Sequence, residues 1–281
     1  MIKKAKNHNS YIEHFDSIQD MITTLNSRTN NQTMRDCDSS HEGSSSFTGT
    51  SSYEEAEKLL KTGFGEIIQT LKTEIKKEEK LNTKKYGTRN RFYYKNNVEG
   101  VLPNIPNALM GLPNSMILPS KKIEKTKAID LYYDMGACCG IDRKEWIAAG
   151  VKILVAVKIF ELQNISVNLN CCFYSGFKHG QYLMASVKLK GYQDKLDLLK
   201  LCFPIAHPSF FRRFGFKWLE TVPIENLHYG FASGYGQALH SNEDGKIWEL
   251  PKQSCYIRFS WLKDETFENL INNIKTQINE N

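Results

Sequence analysis

No stretch of this 281-residue chain reads as a membrane span. Its longest apolar windows, such as Ile153 to Val157, fall far below the roughly 20 residues a bilayer-crossing helix needs. The basic N-terminus MIKKAKNHNSYIEHFDS has no apolar run behind it, which argues against a secretory signal. Cysteines are few, and Cys37, Cys138, Cys139, Cys171, Cys172, Cys202 and Cys255 lack the spacing of a disulfide framework. An odd count with two adjacent pairs points to reduced thiols in a cytoplasmic compartment. The glycine-rich SGYGQALH, Ser233 to His240, has neither the G-x-G-x-x-G nor the P-loop spacing and reads as a turn. A Cys–His nucleophile would need a cysteine beside His179, His207, His228 or His240, and no flanking signature of a cysteine enzyme is present. The expectation is a cytoplasmic protein that is not an enzyme, holds no metal or other cofactor and does not engage membranes.

What is present is a mild basic excess, 37 Lys and Arg against 31 Asp and Glu, which permits an anionic partner without demanding one. Length is ample for a core, since a 150-residue unit buries about two-thirds of its unfolded surface. Apolar residues concentrate after Ile123. In the polar first third, Ile12, Phe15, Ile18, Met21, Ile22 and Leu25 predict a helix over Tyr11 to Leu25. Asn26 to Ser46 has almost no apolar content and cannot offset its ordering entropy, so residues 1–46 read as a flexible N-terminal segment. From Phe47, a Ser51 or Ser52 cap ahead of Glu54 and Glu55 starts a helix that ends near Gly63 and Gly65, and a second helix continues to about Leu81. Residues 47–95 form a helical region with a basic and aromatic end.

That end, Lys84 to Lys95, interleaves Lys84, Lys85, Arg89, Arg91 and Lys95 with Tyr86, Phe92, Tyr93 and Tyr94. Cations neutralise phosphates and aromatic faces stack on bases, the chemistry of a sequence-tolerant single-strand binder. A solvated helix end followed by a half-wet strand accounts for the same residues. Half of the eight prolines, Pro103, Pro106, Pro113 and Pro119, then fall in a segment of extended or turning chain that reads as a linker over 96–122.

Residues 123–281 read as an α/β domain. A strand Ile129 to Tyr133 ends at Asp134, a small-residue loop Met135 to Gly140 follows, and Ile141 to Leu162 forms a helix with apolar groups on most faces, as burial against a sheet requires. Ile165, Val167, Leu169, Cys171 and Phe173 then alternate along a strand, and QYLMASVKLK returns as its antiparallel partner. Helices are expected over Asp194 to Leu201 and from His207 and Pro208, a last strand over Ser254 to Trp261, and a closing helix over Asp264 to Ile278.

This order resembles that of von Willebrand factor A-like domains, a Rossmann-like fold that carries a metal-dependent adhesion site, D-x-S-x-S, on its first strand-helix loop. Asp134, Gly136 and Cys138 stand at those spacings, so the acid is kept and both hydroxyls are missing. Magnesium prefers hard oxygen ligands, which neither Gly136 nor the Cys138 thiol supplies. The segments FTGTSSYEEAEKLLKTGF (47–64), GVLPNIPNALMGLPNSM (100–116) and FPIAHPSFFRRFGFKWLE (203–220) are together similar to a family of phage-type proteins of unknown function that end in such a domain. The resemblance implies a phage or mobile-element protein in the host cytoplasm. It also implies a protein partner, by fold analogy an ATPase, docked on the loops around Asp134, Gly136, Cys138 and Asp142.

Adjacent strand residues point to opposite faces, so Cys171 and Cys172 are read as core thiols and not as ligands of one zinc. Asp130, Asp134 and Asp142 surround the first loop and form the one carboxylate set that invites a cation, whereas Asp134 alone suits a loop-fixing role. Arg212 and Arg213, set among Phe210, Phe211, Phe214 and Phe216, have forks that suit phosphate, or partners within the chain. The sequence favours a protein-interaction module. Its alternative is a nucleic-acid-binding factor using Lys84, Lys85, Arg89, Arg91, Tyr93, Arg212 and Arg213.

Overall fold

The computed structural model describes residues 2–4, 10–30, 38–85, 91–122, 127–137, 140–176, 182–224, 250–251, 254–262 and 265–280. The chain begins with β1 (Ile2–Lys4), β2 (Ser10–Phe15), α1 (Ile18–Ser27), the single turns α2 (Ser39–Glu42) and α3 (Ser45–Thr48), α4 (Tyr53–Thr62) and α5 (Ile68–Lys85). A small unit follows, made of β3 (Arg91–Asn97), β4 (Leu102–Pro103), α6 (Ile105–Leu109) and β5 (Met116–Lys122). Next come β6 (Lys127–Asp134), α7 (Arg143–Leu162), β7 (Ile165–Gly176), β8 (Tyr182–Lys190) and α8 (Leu198–Ala206). A π-helical stretch, Phe210–Gly215, runs into α9 (Phe216–Thr221), before β9 (Ser254–Arg258), α10 (Phe259–Leu262) and α11 (Phe267–Glu280).

Among the described residues six strands form one mixed sheet in the order β1-β2-β8-β7-β6-β9. β6 runs parallel to β7 and to β9, β8 is antiparallel to β7, and β2 is parallel to β8. The strand, helix, hairpin order expected after Ile123 is therefore realised as an α/β layer structure. Strand alternation divides the sheet's two faces. Val167, Leu169, Cys171 and Phe173 enter the main core with the helices, while Cys172 and Tyr174 join Ile12, Tyr132, Met184 and Tyr256 in a second cluster. The neighbouring thiols thus part as expected, and burial pushes both well above the ordinary thiol range.

α7 is apolar nearly all round because it is covered nearly all round: Trp146, Ile153, Leu154 and Phe160 are all buried. It meets α8 at backbone distance. A Cβ on Gly150 would lie 2.4 Å from that of Ala206, so only glycine fits this crossing.

Three expectations for the first half are corrected. Tyr11 to Leu25 is not one helix. Ser10–Phe15 pairs with Tyr182–Val187 as a strand, and the helix starts at Ile18 because Ser17 is extended (φ −162°) and its hydroxyl accepts the Asp20 N–H at 3.1 Å. Residues 1–46 are not simply a flexible leader, since β2 is an inner strand of the sheet and Ser40 is fully buried against Glu220. Residues 96–122 are not a bare linker. They complete a three-stranded sheet, β3-β5-β4, in which Tyr94 faces Pro119 and Asn97 faces Met116. Pro119 is tolerated because β4 reaches only Met116 and Ile117, so beyond them β5 has an open edge. Pro106 sits in the first turn of α6, where no N–H is needed.

Candidate functional site

The end of β6 places Asp134 beside Cys172 of β7 and Arg258 of β9. The carboxylate is only 2% exposed and is held from inside the protein. One oxygen accepts the Gly136 N–H at 2.7 Å and the other the Tyr256 hydroxyl at 2.8 Å. Burial raises its pKa, opposed by these two hydrogen bonds and by the charge of Arg258. Burial first, and then the Asp134 charge, keep the Tyr256 hydroxyl protonated and donating. Arg258 in turn lies over the Trp261 ring, 5.4 Å from its centre.

This geometry does not fit the metal that the von Willebrand resemblance implies. The carboxylate is buried with each oxygen already accepting a hydrogen bond, Gly136 offers no side-chain oxygen, and Cys138 lies outside the described residues. Asp130 accepts instead from Asn168 Nδ2 at 2.6 Å, four strand positions or roughly 13 Å from Asp134, too far to share an ion. Asp142 is exposed ahead of α7 and makes no capping bond. Among the described residues no group of three or more His, Cys, Asp or Glu could hold a metal. The expectation that Asp134 presents itself to a partner is corrected: it fixes the loop, and Gly136 is buried with it.

Arg212 and Arg213 are corrected as well. The π-helical winding of Phe210–Gly215 turns both inward. Arg213 is 0% exposed and donates to the carbonyls of Ser40, His41, Gly43 and Thr50 and to the hydroxyls of Thr48 and Thr50. Arg212 donates to the Phe47 and Ile141 carbonyls and lies 4.2 Å over the Phe47 ring. A guanidinium so enclosed reaches no phosphate. It orders residues 38–50, which have too few apolar groups to fold unaided.

The basic and aromatic segment is only in part described. Lys84 and Lys85 close α5, Arg91 and Tyr93 lie on β3, and Arg89 falls outside the described residues. Pairing of β3 with β5 sets Arg91 opposite Lys122 and Phe92 opposite Lys121, which joins to the predicted cluster two lysines that are distant in sequence. The tip of this small sheet carries what the sequence reading missed. Val98, Val101, Leu102, Ile105, Leu109, Met110 and Leu112 are all exposed, Leu109 at 84%. The signal was legible: Gly100 to Ser120 contains no charged residue at all.

A family model described as "Domain of unknown function (DUF7192)" matches residues 3–279. The chain belongs to this family. Because the match takes in β1, β2 and the small sheet along with the later α/β part, all of these belong to the DUF7192 unit. No curated protein and no solved structure matches the chain. No helix among the described residues is long and apolar enough to cross a membrane.

Proposed function

We propose that the chain is a non-enzymatic, phage- or mobile-element-encoded protein-binding module whose core is von Willebrand factor A-like with a lost metal position. Support for the core comes from chain order: β6 ending in an acid, a small-residue loop, the buried α7, the β7 and β8 hairpin, further helices, and the late strand β9 set beside β6. Support for loss of the metal is the occupation of Asp134 by Gly136 and Tyr256.

The observation that carries the binding role is the aliphatic tip. Seven exposed aliphatic side chains between Val98 and Leu112 offer on the order of 800 Å² of accessible surface, about one partner's share of a standard interface. Patches of this size on soluble proteins mark contact sites. A protein presenting an apolar surface is the fitting partner, and an ATPase is proposed by fold analogy alone. The test is a photo-cross-linking residue placed at Leu109 and, as a control, at exposed Leu199 on α8, in the native host. A discrete protein adduct formed from position 109 and not from 199 is the expected result. Equal labelling from both positions, or none from 109, removes the proposal.

A further inference from the structure

We infer that the β3 and β5 ribbon at the base of the small sheet is a binding site for single-stranded nucleic acid. This surface is separate from the aliphatic tip, and the inference goes beyond the protein-binding role. The first observation is where the charge lies. Of the 37 basic and 31 acidic residues, nine and two respectively fall within residues 84–127, leaving 28 against 29 elsewhere. The chain's whole positive excess therefore falls within the one stretch of sequence that includes β3 and β5, while the remaining sequence is close to neutral. A net positive stretch of this kind draws a polyanion.

The second observation is the register. Arg91, Tyr93 and Lys95 occupy alternate positions of β3, opposite Lys122, Ser120 and Leu118 of β5. One side of the ribbon thus carries three cationic positions and an aromatic one, with neighbours along the strand about 7 Å apart. The other side carries Phe92 and Tyr94 with Lys121. Tyr94 is 70% exposed and Lys95 is exposed beside it. Aromatics and cations alternating on an open sheet are the arrangement on which unpaired bases stack while their phosphates are neutralised. A duplex, whose bases are already stacked, uses the cations alone. The aromatic positions therefore favour the single strand.

The experiment is fluorescence anisotropy of the full chain with labelled 20-nucleotide single-stranded DNA and RNA and with a 20-base-pair duplex, at 50 and 200 mM salt. If four phosphates are neutralised, single-strand affinity falls roughly 50-fold across that range, at a slope of about 0.7 per phosphate. Changing Arg91 and Lys122, which share the Tyr93 side of the ribbon, together to alanine lowers the slope by about 1.4, whereas Tyr93→Ala weakens binding about 5-fold or more with the slope unchanged. Lys144→Ala, an exposed lysine of α7, leaves binding as it was. Circular dichroism melts confirm that each variant is folded. Absence of binding at 50 mM salt overturns the inference, as does a response to Lys144→Ala equal to that of the Arg91 and Lys122 double change. Duplex bound as tightly as single strand also overturns it. Polyglutamate competing as well as nucleic acid assigns the ribbon to an acidic protein surface instead.

Discussion

Arg213 lies fully buried in the π-helical stretch Phe210–Gly215, with its guanidinium turned toward residues 40–50. An arginine pair among phenylalanines suggested an anion site, but the fork is consumed by four carbonyls and two hydroxyls of residues 40–50. Lysine keeps the charge yet supplies three donors on a mobile stem, which leaves buried carbonyls unpaired. Arg213→Lys should cost about 3 kcal/mol in urea unfolding and expose residues 38–50 to proteolysis before the rest; a loss under about 1 kcal/mol with an unchanged cleavage pattern contradicts the clasp. His207 offers a pH test. Burial, and secondarily the charge of Arg143, lower its pKa to about 3, and its Nδ1 accepts the Ser209 N–H at 3.2 Å. A histidine whose folded pKa is depressed leaves the unfolded chain binding more protons below its ordinary 6.5, so stability is lost on acidification from that point downward. Wild type should lose about 2 kcal/mol from this group between pH 7 and pH 5, and His207→Asn should show a flatter pH profile over the same window. Parallel profiles for the two proteins count against it. His207 was visible in the sequence as one of several histidines, but nothing local shows burial among Phe64 and Phe203.

Among the elements, the best-read ones have a pattern that matches their surroundings. The helix Arg143–Leu162 and the alternation of β7 were legible because a buried helix is apolar all round and a strand between two covered faces alternates visibly. β2 was misread because Ile12, Phe15, Ile18, Met21 and Leu25 satisfy a helical period across what is a strand, a cap and a helix, and only pairing with β8 separates them. The crossing of α7 on α8 yields the prediction at this scale. Gly150→Ala places a methyl 2.4 Å from Ala206 Cβ, so the helices must part; it should lower stability by about 2 kcal/mol despite alanine's better helix propensity, and Gly150→Val should cost more. A stabilising Gly150→Ala in thermal or urea unfolding would contradict the close approach of α7 to α8.

Over the whole molecule, one large sheet built from both ends of the chain carries a small sheet whose main contacts are internal. Asn97 faces Met116, so replacing residues 98–115 by Asn-Gly closes β3 onto β5 with a two-residue hairpin turn. That variant should keep core stability within about 1 kcal/mol, retain ribbon-dependent nucleic-acid binding and lose the Leu109 adduct. Collapse of the fold in urea titration would show that the tip supports the core. The sequence by itself determined the α/β class of the later half, the long buried helix, the hairpin and the separation of Cys171 from Cys172, because each follows from the local periodicity of apolar residues. It also held the uncharged tip and the local excess of positive charge. Only the tertiary structure decided that β2 joins the sheet, that Lys121 and Lys122 stand across from Phe92 and Arg91, and that Asp134, Arg212 and Arg213 face inward. Strand pairing and burial are set by residues far away in the chain, and no local pattern records which partner will arrive.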